Sequence, residues 1–158
     1  MTRPWPHFDP QNFMPAWSAQ IVAEARSWIG TPYLHQASLQ GQGCDCLGLV
    51  RGVWRALYGA EPERVPAYTA DWGEAEGEDV LLAAAMRHFQ PRPLGPLAAG
   101  DVLVFRWHTA ALAKHIGIAT SAQTMVHAHA GACVAEVSFG VWTRRLVARF
   151  AFPEPVPS

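Results

Sequence analysis

The sequence predicts an α+β domain in which N-terminal helices pack on an antiparallel β-sheet. Two observations carry this. Apolar residues recur at helical spacing as far as His88, whereas from Asp101 onward the chain breaks into short β-branched and aromatic runs separated by turn residues. The connections between those runs are too short for crossover helices, so neighbouring strands must run antiparallel. At 158 residues the chain has room for one domain with a proper core and hardly for two.

The elements follow in order. Residues 1–17, rich in proline and aromatics and without a period, form an extended N-terminal arm. Residues 18–29 form a helix with Ser18 as N-cap, Val22, Ala25 and Ile29 on one face and Trp28 beside them. Gly30-Thr31-Pro32 ends it, and residues 31–43 are a loop. A second helix begins at Asp45 or Cys46: Cys46, Val50, Val53, Trp54 and Leu57 make one apolar stripe, with Asp45 as N-cap and Gly59 as stop. Residues 60–77 read as loop. Residues 78–89 form a third helix before Pro91, with Val80, Leu81, Ala84 and His88 sharing a face. Strands are expected over 101–107, 115–120, 124–130, 133–137 and 146–152. One domain therefore spans 18–152, and 153–158, with three prolines, is a loose tail.

Composition excludes several classes. Half the residues are apolar and 16% are charged, as in a globular protein. Twelve basic and thirteen acidic residues give a net charge of −1, which argues against a broad basic surface for nucleic acid. No apolar run approaches the ~18 residues that span a bilayer. The proline-broken start lacks the apolar segment of a signal peptide, so the chain is expected to be made in the cytoplasm and not exported by that route. Three cysteines are too few and too odd in number for a disulfide framework. Cys44 and Cys133 are expected to be small core residues.

Cys46 is different because it opens a helix. The unpaired N–H groups and the positive end of the helix dipole there favour a thiolate, which would depress the thiol pKa and could later help hold an oxyanion. Gly48, one turn in, is costly unless substrate or another backbone approaches closely. The competing interpretation is that Cys46 merely begins the apolar stripe.

A nucleophilic cysteine needs a base, and four of the seven histidines lie between His108 and His129. If His115 and His127 sit on two strands of a hairpin, the turn decides their faces. A two-residue turn puts them on opposite faces. A three-residue loop at 121–123 sets His115 opposite His129 with His127 diagonally beside it, and a longer loop opposes His115 and His127 directly. His7 and His88 are taken as ordinary polar residues, while His35, His108 and His129 are possible cleft-lining groups. Structural zinc on Cys44, Cys46, His127 and His129 is a weak match, since paired zinc cysteines use a C-x₂₋₄-C turn.

Five blocks carry a resemblance: Gly30-Thr31-Pro32-Tyr33, Gly43-Cys44-Asp45-Cys46-Leu47-Gly48-Leu49, Leu97-Ala98-Ala99-Gly100-Asp101-Val102-Leu103, His115-Ile116-Gly117-Ile118 and Met125-Val126-His127-Ala128. In this order they resemble the NlpC/P60 cell-wall peptidases. The resemblance implies a papain-like core with Cys46 as nucleophile, His115 as base and His127 orienting it, and it selects the same-face hairpin register. Tyr33 would serve the oxyanion and substrate environment, and Asp45 would contact a substrate amine. The implied reaction is hydrolysis of the D-glutamyl–diaminopimelate bond of peptidoglycan stem peptides through a thioester, with no metal or organic cofactor.

Two departures from the family pattern, Leu47 in place of serine and Leu34-His35-Gln36-Ala37-Ser38 in place of a glycine pair, resemble the branch found with phage tails and gene transfer agents. That implies phage-like tail proteins as partners and action at the cell wall from a particle. The rival readings are a tail-assembly docking module without activity and a related cysteine–histidine amidase or acyltransferase on another substrate.

Overall fold

The computed structural model describes residues 14–68, 79–107 and 112–156. In chain order its elements are α1 (Ala16–Arg26), β1 (Ser38–Leu39), β2 (Gly43–Cys44), α2 (Cys46–Tyr58), α3 (Val80–His88), β3 (Gln90–Arg92), β4 (Val102–Arg106), β5 (Ala113–Ala119), β6 (Thr124–His127), β7 (Ala135–Ser138), a 3-10 helix (Gly140–Arg145) and β8 (Leu146–Ala151). This is the expected α+β arrangement. The main sheet runs β3-β8-β4-β5-β6-β7 with every pair antiparallel.

The central strands β4 and β5 are buried on both faces, so alternate residues serve two clusters. Val102, Val104, Ile116 and Ile118 pack with Leu49, Val53 and Trp28 from the helical layer. Leu103, Phe105 and Ala119 pack with Met125, Phe139 and Trp142 on the other face. The second helix forms as its pattern requires: Asp45 Oδ1 accepts the Gly48 N–H, and Gly59 closes the helix at φ 87°.

The first helix departs from expectation in an instructive way. It starts at Ala16 behind Pro15, so Ser18 lies inside it, and residues 1–13 of the expected arm lie outside the described residues. At its far end the N–H groups of Trp28 and Ile29 donate to Ala25 and Arg26, three residues back. In such a tightened turn residues i and i+3 eclipse. Trp28 therefore falls over buried Ala25 and enters the core, while Ile29, its predicted α-helical partner, is left 45% exposed. The Trp28 ring lies against Gly52 of α2, where an added Cβ would come within 2.0 Å of it. Gly52→Ala is expected to force the two helices apart and cost about 1–3 kcal/mol, read as a lower denaturant midpoint at unchanged m-value.

Other corrections are local. The 31–43 loop contains the β1–β2 hairpin. In α3 it is Leu81 and Ala85 that are buried, with Val80 exposed, since Asp79 caps the helix and turns Val80 outward. Strand β3 was not predicted: it contains Pro91, all three of its residues are exposed, and it pairs only with β8 as an edge strand, where proline is tolerated. Cys44 is buried as expected, but Cys133 is exposed, because it precedes β7 in the turn rather than starting a strand. His7 and His108 lie outside the described residues.

Candidate active site

The site is built around the start of α2. Asp45 is almost wholly buried, and its two oxygens are engaged locally. Oδ1 accepts the Gly48 N–H at 2.7 Å; Oδ2 accepts the Gln36 N–H at 2.7 Å and the Tyr68 hydroxyl. His35 Nδ1 is 3.8 Å from Oδ2, and its ring meets that of Tyr68 edge-on. Asp45 thus caps the helix and clasps the 31–43 loop to Tyr68. Tyr68 was not anticipated, since it lies in a stretch with no periodicity. Gly48 is explained by a backbone, not a substrate: an added Cβ would come 1.9 Å from the Ala37 carbonyl oxygen. Ser38 Oγ also donates to the Gly48 carbonyl.

Opposite the helix start lies an irregularity in β5. Phe105 of β4 pairs with His115, but Arg106 pairs with Ala113, so the register skips Lys114. On the other side of β4, Val104 pairs with Ala148 and Phe105 with Leu146, skipping Val147. Such bulges bend a strand and re-aim its side chains. The Cys46 thiol sits 3.9 Å from the skipped residue's carbonyl oxygen. The Ile116 N–H also lies against the sulfur, so the thiol meets β5 at the backbone groups on either side of His115.

Ile118 pairs with Val126 and Ala119 with Met125, and the Thr120 N–H bonds to the Thr124 carbonyl around a three-residue loop. This is the register with His115 and His127 on one face: His127 stands across from Gly117, whose missing side chain leaves it room, and diagonal to His115. Their ring nitrogens, His115 Nε2 and His127 Nδ1, are 2.8 Å apart. Both side chains are buried. The two histidines are therefore joined directly, whereas among the described residues no hydrogen bond joins the thiol to either imidazole.

Electrostatics corrects the expectation for the thiol. Burial, followed by the adjacent Asp45 carboxylate, pushes the Cys46 pKa up to about 12, against the opposing pull of the N–H groups of Ile116, Leu47 and Cys46 itself. A buried site and a neighbouring negative charge outweigh the helix terminus. The resting state is a neutral thiol. Alkylation of Cys46 by iodoacetamide, followed by peptide-resolved mass spectrometry to separate it from exposed Cys133, is expected to be slow at pH 7 and to accelerate steadily above pH 9. A fast rate independent of pH from 6 upward would show a preformed thiolate instead.

The imidazoles are neutral as well. Burial, then His127 and His129, holds His115 well below its ordinary value of 6.5, and burial, then His129, lowers His127 to about 4. In the unfolded chain both recover ordinary values. Between pH 6.5 and about 4 the unfolded state therefore binds more protons than the native state, and stability falls as pH falls. For His127 alone the loss is on the order of 3 kcal/mol. Melting temperature should decline steadily from pH 7 to pH 4.5, with a shallower decline in His127→Asn; a flat profile in the parent chain would contradict the buried neutral pair.

Rings surround the pair. His115 stacks at 5.4 Å on Trp107 and at 5.2 Å on Trp142, and Trp142 meets His127 edge-on at 5.0 Å. His129 is exposed, and its ring lies 5.8 Å from Trp107 and 6.1 Å from His115, so it does line this side of the site. Neither tryptophan was singled out from sequence, because they come from the end of β4 and from the 3-10 helix. Tyr33 is on the thiol side: its phenol pKa is raised by burial, then by the charges of Cys46, Asp45 and Cys44. Leu47 packs against the core and lines an apolar cavity of about 70 Å³ between α2 and α3. Among the described residues no three His, Cys, Asp or Glu side chains are grouped to hold a metal ion, and no helix is long and apolar enough to cross a membrane.

The NlpC/P60 family model matches residues 30–150, which include every candidate site residue named above. No curated protein matches the chain in sequence. Among solved structures, the NlpC/p60 domain of the peptidoglycan hydrolase SagA superposes with a TM-score of 0.59 at 24% identity, covering 85% of this chain and 98% of that one. An NLP/P60-family protein similar to lipoprotein, from Staphylococcus aureus subsp. aureus Mu50, gives 0.60 at 19% identity over 95% of this chain and 46% of its own. NlpC2 from Trichomonas vaginalis gives 0.61 at 16% identity over 92% and 50%. The chain thus spans nearly the whole of the first and about half of the other two, and at these identities the likeness is one of fold.

Proposed function

The chain belongs to the NlpC/P60 family, a family of cysteine peptidases and amidases, and on that premise we propose that it hydrolyses peptidoglycan stem peptides at a Cys46–His115–His127 site. The observation that carries this reading is the 2.8 Å contact between His115 Nε2 and His127 Nδ1 on the strand against which the Cys46 thiol rests.

The contact fixes how His115 can act. If His127 Nδ1 accepts, His115 carries its proton on Nε2 and leaves Nδ1 with a lone pair, the form a base requires. Substrate entry brings the scissile carbonyl to the thiol, and His115 takes the thiol proton as sulfur attacks. Because thiol and imidazole are both neutral at rest, proton transfer belongs to the attack itself rather than preceding it. The N–H groups of Cys46 and Leu47 and the Tyr33 phenol face the developing oxyanion. His115 then protonates the leaving amine, and the thioester is hydrolysed by water activated at the same imidazole.

The bond cleaved in this reading lies between D-glutamate and diaminopimelate. Digestion of purified muropeptides with product masses tests it: a new amine on diaminopimelate is the expected product, and cleavage elsewhere in the stem would move the assignment. Delivery to the wall within a phage-like tail is the second part of the proposal. It rests on Leu47 and on residues 34–38, whose variations resemble that branch. Co-sedimentation of the chain with tail particles checks it.

A further inference from the structure

The described arginines mostly neutralise a carboxylate of the chain itself: Arg26 pairs with Glu136, Arg51 and Arg55 with Glu61, Arg87 with Glu63, Arg106 with Asp79, and Arg92 and Arg149 with Asp101. Arg145 has no such partner among the described residues. Its guanidinium carbon instead lies 5.7 Å from the ring centre of Trp107 and 5.4 Å from that of Trp142. These are the two indoles that stack on His115. Trp142 is buried, Trp107 is 38% exposed and Arg145 is exposed. A cation is thus held on two ring faces at the rim of the histidine cluster, with its N–H fork turned to no acceptor among the described residues.

Cation–π attraction holds the guanidinium against the two indoles, and its N–H groups remain for a ligand. Planar N–H donors in a fork match a carboxylate, and side chains that already hold the fork in place reduce the ordering cost of binding one. The proximity to His115 places such a carboxylate within a short stretch of extended peptide of the reacting bond. We propose that Arg145, seated on Trp107 and Trp142, is a specificity-determining residue that binds a free carboxylate of the substrate flanking the scissile bond.

This rests on the reading of the chain as a stem-peptide hydrolase, whose substrates offer two such groups: the α-carboxylate of the γ-linked D-glutamyl residue and a carboxylate of diaminopimelate. The test uses four muropeptides, with neither, either or both of these groups amidated, and compares the full chain with Arg145→Gln and Arg145→Lys. The parent should prefer the free acid at one position. Arg145→Gln should raise KM and lower kcat/KM on that acid by about tenfold to a hundredfold, with little change on the corresponding amide, and Arg145→Lys should recover part of the loss. The amide that erases the effect identifies the carboxylate.

Binding is measured separately, from the tryptophan fluorescence of Cys46→Ala with and without Arg145→Gln. An Arg145-dependent preference for the acid in binding, without turnover in the parent, would sustain the carboxylate site and sink the hydrolase reading. Equal losses on acid and amide, or binding indifferent to Arg145, would overturn the proposal.

Discussion

Cys46→Ala is expected to lose cleavage of muropeptides by roughly four orders of magnitude or more while melting within a few degrees of the parent. Both halves follow from position. The thiol is the group at the start of α2 that can form and release an acyl bond, and among the described residues near His115 no other offers a comparable nucleophile. Cys46 keeps part of its surface exposed, and the thiol itself donates only a long hydrogen bond of 3.9 Å to the Lys114 carbonyl, so its removal takes little from the fold. The cap remains, because Asp45 still accepts the Gly48 N–H. Product masses and a thermal melt on the same preparations check the pair of expectations. Unchanged cleavage in a folded variant would remove Cys46 from the mechanism. Inactivity of the parent, with an intact fold, would favour the docking-module reading instead.

Much of this site was legible in the chain because its signals are local. An aspartate before an apolar stripe and a glycine after it mark α2, and both caps form as expected. The hairpin was legible up to parity. Spacing alone allowed His115 and His127 to share a face or not, and the Thr120–Thr124 hydrogen bond of a three-residue loop decides it. What could not be read depends on neighbours distant in sequence. The bulge at Lys114 arises from how β5 matches β4, and no residue type announces it. Trp107, Trp142 and Tyr68 reach the site from segments without a period. The thiol shows the limit most clearly. A helix terminus can be recognised from five residues, but the depth of burial and the closeness of the Asp45 charge appear only once the loop 31–43 and the sheet have closed around Cys46.

Asp101→Ala is expected to destabilise the fold by about 3–5 kcal/mol, a large part of the ~5–15 kcal/mol that holds a domain together. Asp101 is almost wholly buried and joins three segments: its Oδ2 accepts the Ala98 N–H at 2.9 Å and lies 2.9 Å from Arg149 Nε on β8, and its Oδ1 lies 3.7 Å from Arg92 Nε on β3. Its own pKa is raised by burial, against the pull of the Ala98 N–H and of Arg149 and Arg92, so desolvation of the carboxylate outweighs what its partners return. The pair is therefore not where the stability comes from; the damage lies in breaking it. Removing the carboxylate leaves the Arg149 guanidinium, whose side chain is 11% exposed, without its counter-charge. It also releases the turn that leads into β4, where Gly100 and Asp101 bond to Ala119. Double replacement separates the two effects. In Asp101→Ala with Arg149→Met the stranded charge is gone, and about half of the lost stability should return. Asp101→Asn keeps an acceptor for the Ala98 N–H and should fall between parent and alanine. Urea unfolding of the four proteins measures all of this, and a double variant no more stable than Asp101→Ala would mean that the turn, not the charge, carries the effect.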